Sequence, residues 1–267
     1  MNTFNLSRRS FVKGGAASAL GLTAAGVLAG CVQSMSKNEK PSDATEKFSI
    51  EETKETDIVV VGLGASGLMA ALAAADKGAS VIAIDSALSF EGTTNTHTTG
   101  AWMIESKEQV KHNGYLTQQE AFEWIEPGTH YQTNGKVLRN IIRCSAQAAN
   151  YLIDGGVALM YAFEDTTSES PMLSRGGHVY LEEGEHRADD FRAMCAAHSN
   201  LETLFGCKAL ELVCDDSGKV TGVICSNDGV GIQINAQAVI MCTGGFLASD
   251  DMIKEHFAGA VLVNQGM

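Results

Sequence analysis

The sequence predicts an α/β fold built on a mainly parallel sheet. Residues 57–85 read DIVVVGLGASGLMAALAAADKGASVIAID, which is strand, glycine turn, helix and strand in succession. Residues 238–242, AVIMC, form a third apolar run of the kind a parallel sheet buries on both faces. Between these, Asp215-Asp216-Ser217-Gly218 and Asn227-Asp228-Gly229 have the chemistry of hairpin turns, so a β-meander is inserted ahead of that third strand.

The first unit is justified residue by residue. Ile58 to Val61 are apolar and β-branched, and Asp57 leads into them. Residues 66–77 are rich in Ala, Leu and Met, strong helix formers, and Gly78 ends the helix. Val81–Ile84 is the second strand and ends in Asp85. Gly62, Gly64 and Gly67 have G-x-G-x-x-G spacing. Gly62 permits the tight turn, Gly64 keeps side-chain atoms away from a bound phosphate, and Gly67 lets helix and strand approach. A pyrophosphate would rest on the helix N-terminus, beside Ala65 and Ser66. Asp85, 18 residues after Gly67, is placed to accept hydrogen bonds from an adenosine ribose. Strand, helix and acid together predict a dinucleotide site.

The segments before this unit read as export and tethering. Residues 1–31 are a targeting segment. Ser7-Arg8-Arg9-Ser10-Phe11-Val12-Lys13 resembles the twin-arginine export signal, with Val12 in place of Leu, which implies passage through the twin-arginine translocase. Residues 14–30 are apolar and end in Leu28-Ala29-Gly30-Cys31, which resembles the bacterial lipobox and implies a lipid on Cys31 holding the protein to the outside of the membrane. Residues 32–56 are polar, contain Pro41 and have no period, so they read as a disordered tether before a domain spanning 57–267.

After Asp85, residues 86–103, SALSFEGTTNTHTTGAWM, read as a Thr- and Gly-rich loop whose hydroxyls and amides suit phosphate or ribitol oxygens. Residues 118–124 predict a short helix, and Gly135–Asp154 a longer one with Val137, Leu138, Ile141, Ile142, Ala146, Ala149 and Leu152 at helical spacing. Residues 157–162 predict a strand, and residues 164–185 a polar excursion. Asp189 or Asp190 is placed to cap a helix running to His198. Residues 210–214, 219–225 and 231–234 are the meander strands, and the strand 238–242 opens onto Thr243-Gly244-Gly245.

Composition narrows the function classes. The 267 residues are 45% apolar, enough for a substantial core, and the net charge of −13 offers no basic surface for nucleic acid. Seven cysteines occur with none at C-x-x-C spacing, so a structural zinc, a cysteine-ligated iron–sulfur cluster and a covalent c-type haem lack support.

Residues 57–267 resemble the FAD-dependent fumarate reductase family of flavoproteins, whose relatives include ketosteroid dehydrogenases. The resemblance rests on the VVVGLGASGL turn, on His186-Arg187, and on KVTGVICSNDGVGIQINAQAVIMCTGGF over residues 219–246. It implies a Rossmann-like FAD-binding domain. Ser66 and Gly67 would lie over the FAD pyrophosphate, with Asp85 at the ribose where the family usually has Glu, and Ser86 beside it. The family's Asn-Ser or Asn-Thr pair falls on Thr93-Thr94, and its Gly-Gly pair on Thr99-Gly100, after Thr98. Ala209 would present its backbone to the adenine, and Thr243, Gly244 and Gly245 form the second phosphate-side loop.

The same resemblance implies hydride transfer from reduced flavin to the double bond of an unsaturated organic acid, with electrons from a separate donor. The family's catalytic Arg and His residues lie mainly in a capping domain and a later return segment. None is expected among these residues, which read as the first FAD-domain segment of a truncated reductase; a complete short flavin-binding lipoprotein is the alternative. A ketosteroid-dehydrogenase-like flavoenzyme and an NAD-binding dehydrogenase are further alternatives. His97, His130, His178 and His186 read as surface or structural residues. A segment ending at Met267 would leave one side of its sheet uncovered, so poor solubility is expected of it in isolation.

Overall fold

A computed structural model describes residues 49–98, 100–114, 116–161, 176–180, 184–246 and 249–256. The export signal, Cys31, the tether up to residue 48, and Thr99 lie outside the described residues.

The first strand, β1 (Ile50–Val61), leads into helix α1 (Ala65–Asp76), which returns to β2 (Val81–Ile84). The two strands pair in parallel, Ile58 opposite Val81 and Val61 opposite Ile84. This is the βαβ unit read from residues 57–85. The strand starts earlier than expected, however. Residues 50–56, assigned from their polarity to the tether, pair in parallel with β9 (Val230–Met241) from Ile50 opposite Gly231 onward. Their polar side chains are mostly exposed, so the ladder rather than burial holds them, and hydrophobic patterning is blind to that.

Beyond β2 the Thr-rich segment was expected to lack structure. It contains a 3-10 turn at Phe90–Gly92, a single helical turn α2 (Thr94–His97) and a short strand β3 (Gly100–Trp102). Hydroxyls hold these pieces: Thr93 Oγ1 donates to Phe90 O at 2.8 Å, and Thr96 Oγ1 to Glu91 O at 2.9 Å. Two helices follow, α3 (Lys107–Lys111) and α4 (Gln118–Gly128), the latter opened by a Thr117/Glu120 capping box. Helix α5 (Gly135–Asp154) has the bounds the periodicity predicted. Strands β4 (Leu159–Tyr161) and β5 (Gly177–Tyr180) join β3 in a small antiparallel sheet of order β3-β5-β4, so part of the expected polar excursion is a strand.

Helix α6 (Gly184–Ala196) begins well before Asp189 and Asp190, which are therefore interior residues and not caps. The reason lies in its buried stripe: Arg187, Ala188, Phe191, Met194 and Cys195 recur at helical spacing, starting ahead of the acids. A strand that patterning missed, β6 (Leu201–Leu204), pairs in parallel with β2. The meander follows as β7 (Cys207–Cys214), β8 (Val220–Asn227) and β9. The two strands expected over 231–234 and 238–242 are one 12-residue strand. Its first half pairs with β8 and its whole length with β1, so the meander's last strand is also a central strand of the main sheet. Helix α7 (Asp250–His256) ends the described residues.

The six-stranded sheet has the order β6-β2-β1-β9-β8-β7. Alternation along β1 and β2 divides its two faces. Val60, Val81 and Ala83 face a helical layer made of α1, α5 and α6. Val59, Val61, Ile82 and Ile84 face a second cluster that holds Cys207, Val223, Cys225, Ile232 and Ile234 of the meander. Around β1 and β2 both faces are covered, but the C-terminal half of β9 is not: Ala238 is exposed and Met241 is 53% exposed, so residues 238–242 lack the two-sided burial their apolar run predicted.

Candidate dinucleotide-binding site

The C-terminal ends of β1 and β9 lie side by side. Val61 is opposite Met241, and Cys242 N donates to Val61 O at 2.7 Å. Both strands open there into glycine turns, so residues 62–67 and 243–245 project from the carboxyl end of the sheet's strands. In an open α/β sheet, ligands bind in such a crevice beyond the carboxyl ends of the strands.

The glycines of the first turn stand where a side chain would collide with neighbouring atoms. Gly62 has φ +97°, and a Cβ there would sit 2.4 Å from Cys242 O. A Cβ on Gly67 would sit 1.7 Å from Gly62 O, so helix and turn touch with no room for a methyl group. A Cβ on Gly64 would come 2.8 Å from Thr94 Oγ1, which places Thr94 directly beside the turn. Gly64 is the N-cap of α1 with no side-chain cap, and Ala65 and Ser66 in the first turn are exposed. The helix therefore presents its positive end to whatever occupies the crevice. Opposite, a Cβ at Gly244 or Gly245 would meet nothing within 4 Å, and Thr243, Gly244 and Gly245 are all exposed.

Asp85 stands at the end of β2, where the motif puts the ribose acid. Its Oδ2 accepts from Leu63 N at 2.6 Å, and its Oδ1 accepts from Ala87 N at 2.8 Å. The carboxylate thus also joins the glycine turn to the exit of β2, with Ser86 exposed next to it. The first residues of the meander reach the same place. Gly206 N donates to Ala87 O at 2.7 Å and Cys207 N to Asp85 O at 2.8 Å. Ala209 follows on the edge strand β7, beside a register shift between Ala209 and Glu211 that loosens the ladder there.

The Thr-rich segment divides into residues that face the crevice and residues that support it. Thr94 is exposed at the turn. Thr93 is buried, its hydroxyl donated to Phe90 O, so its side chain supports the segment from within and does not reach outward as the resemblance suggested. Thr98 Oγ1 donates to Gly100 O at 2.9 Å, and Gly100 is held in β3 opposite Val179.

Sequence reasoning missed two supporting residues. Asn95 is buried and its Nδ2 donates to Leu63 O at 2.8 Å. Arg187 is buried as well; its Nη1 donates to Asn95 O at 2.9 Å and also to Thr98 O. Asn95 was hidden among threonines of similar polarity, and Arg187 was visible only as part of the His186-Arg187 pair. His186 itself is exposed. His178 is structural: it is buried, with Nε2 2.6 Å from Ser106 Oγ and Nδ1 3.2 Å from Gly176 O, and burial holds its imidazole below its ordinary value. His97 and His130 are exposed, away from any such network. Among the described residues no His, Cys, Asp and Glu side chains cluster as metal ligands.

Fold and turns together define a Rossmann-type dinucleotide-binding domain. The chain belongs to the FAD binding domain family, whose pattern it matches over residues 57–265, and its cofactor is FAD. The tight glycine contacts at 62, 64 and 67 and the open approach at Gly244 and Gly245 fit the pyrophosphate of that cofactor. The chain is 29% identical over 201 residues to the vinyl phenol reductase of Lactiplantibacillus plantarum, covering 74% of this chain and 40% of that protein. It is 27% identical over 238 residues to the NADH:fumarate oxidoreductase of Klebsiella pneumoniae, covering 84% of this chain and 24% of that protein. Its fold matches the open conformation of a flavocytochrome c3 fumarate reductase with a TM-score of 0.66 at 22% identity, over 77% of this chain and 36% of that one. The chain thus spans less than half the length of these relatives.

Proposed function

We propose that this chain is the FAD-holding part of an exported, lipid-anchored oxidoreductase that reduces the double bond of an unsaturated organic acid with electrons from a separate donor. One observation carries the FAD-holding part of the reading: two glycine turns and the start of α1 meet at the carboxyl end of the sheet's strands, beside an acid at the end of β2. The names of two similar reductases, of fumarate in Klebsiella pneumoniae and of urocanate in Eggerthella lenta, support the acceptor class.

In this proposal Gly62, Gly64, Ala65, Ser66 and Gly67 cradle the pyrophosphate, with Thr243, Gly244 and Gly245 on its other side. Asp85 and Ser86 take the adenosine ribose and the backbone at Ala209 takes the adenine. Thr94, Thr98 and Gly100 line the path towards the flavin, and Thr93 supports them. Bound FAD supplies hydride transfer; the chain's own residues bind and orient it. Export by the twin-arginine translocase and lipid on Cys31 follow from the N-terminal motif, and a folded-protein export route suits a cofactor inserted before transport.

The test is direct. The purified chain should carry flavin absorbance that bleaches on anaerobic reduction; in the whole enzyme, with the domain that holds the acid, colour should return when fumarate or urocanate is added. A colourless preparation that takes up no FAD would overturn the cofactor assignment. Bleaching of the oxidised flavin by a 3-ketosteroid, with no return of colour when the acids are added, would overturn the acceptor class. Fatty-acid label that survives Cys31→Ala would overturn the anchor.

A further inference from the structure

We infer that Asn95, held in place by Arg187, is a positioning residue that fixes the Leu63–Gly64 peptide so that the Gly64 amide faces the cofactor's pyrophosphate. The inference rests on the FAD reading above and concerns residues for which the glycine motif has no role.

Leu63 lies between the first two glycines of the turn, and the peptides on either side of it are held by different groups. On one side Leu63 N donates to Asp85 Oδ2 at 2.6 Å. On the other, Leu63 O accepts from Asn95 Nδ2 at 2.8 Å. The chain has no cis peptide among its described residues, so the N–H of Gly64 points opposite to the Leu63 carbonyl. With that carbonyl turned inward to a side chain only 4% exposed, the Gly64 N–H is turned outward. A glycine at this position is free to flip its peptide, because it lacks the Cβ that restricts other residues. The Asn95 amide removes that freedom.

Asn95 is fixed in turn. Arg187 reaches across from α6 and donates through Nη1 to Asn95 O at 2.9 Å and also to Thr98 O, so one guanidinium spans the helical turn that carries Asn95. The result is a continuous series of hydrogen bonds, from Arg187 to Asn95, to Leu63, to Asp85 and to Ala87. It joins helix α6, the Thr-rich segment, the glycine turn and the exit of β2. Such donors, set before the ligand arrives, bind an anion without the cost of ordering them on binding.

The test uses Asn95→Asp in the full-length chain. The change keeps the shape but replaces the donating amide with a carboxylate that repels the Leu63 carbonyl. The affinities for FAD and for ADP, a pyrophosphate without flavin, should each fall at least tenfold. Competition by adenosine, which carries no phosphate, should change less than twofold. Arg187→Lys, which keeps a charged donor without the span of the guanidinium, should lose several-fold in FAD and ADP affinity. If Asn95→Asp does not fold, Arg187→Lys carries the same comparison. FAD and ADP binding within twofold of wild type, or an equal loss for adenosine, would overturn the inference and leave the FAD reading standing. A wild-type chain that binds no FAD would overturn both.

Discussion

At the scale of single residues, the site depends on one methyl group's worth of space. A Cβ on Gly67 would lie 1.7 Å from Gly62 O, and both partners are backbone held by strand and helix, so neither can yield as a flexible side chain would. Gly67→Ala should cost at least the ~1–3 kcal/mol usual for overpacking and abolish FAD uptake; urea denaturation and flavin content measure the two effects. Two histidines should make stability depend on pH with opposite signs. His198 Nε2 lies 2.9 Å from Asp76 Oδ1, and that contact raises the imidazole above its ordinary value of 6.5. Its stabilisation is complete below that value and is lost as pH rises through the raised one. The pair is partly exposed, so about 0.5 kcal/mol is expected: His198→Gln should be less stable than wild type at acidic pH and equal to it at alkaline pH. His178 is held neutral by burial, and its folded value lies below 6.5. Acidification below that ordinary value should therefore destabilise the fold, because the unfolded chain takes up the proton first. His178→Phe should flatten that acid limb in urea denaturation series.

At the scale of elements, periodicity read what burial dictates and missed what hydrogen bonds dictate. The βαβ unit and α5 were legible, since each shows its period in apolar side chains. The first half of β1 was not, because residues 50–56 are ordered by their ladder to β9 while their side chains meet water. The union of two expected strands into β9 escaped for a related reason. Its polar middle, Asn235 to Gln237, reads as a break, yet it is paired through to β1. In the site, the motif residues were readable because their spacing is the signal. Asn95 and Arg187 were not, because their partners are main-chain carbonyls that no pattern of side chains reports. Helix α5 also shows that a readable period overstates the core. Val137 and Ile141, counted in its apolar stripe, are 51% and 62% exposed, while Leu138 and Ile142 are buried. Ile142→Ala should therefore cost about 2–4 kcal/mol, whereas Ile141→Gln should change stability by less than about 0.5 kcal/mol. Urea midpoints of the two variants measured side by side check the assignment.

At the scale of the whole molecule, the segments that meet at the site are far apart in sequence, and the cofactor is the natural link among them. The glycine turn, the Thr-rich segment, the start of β7 and residues 243–245 come from four stretches of chain, and each contributes backbone at the carboxyl end of the sheet's parallel strands. A ligand that touches all four binds the folded state alone, so its binding free energy adds to stability. At a free FAD concentration one hundred times the dissociation constant, the gain is about 2.7 kcal/mol. For a domain of this size that corresponds to a rise of roughly 5–10 °C in the melting temperature. The rise should grow with the logarithm of FAD concentration, be reproduced in part by ADP, and shrink in Asn95→Asp. Thermal melts of stripped protein across a titration of each ligand measure it. A melting temperature that stays constant while flavin binds would show that FAD sits on a surface the fold does not need to form, and would separate these four segments from the cofactor.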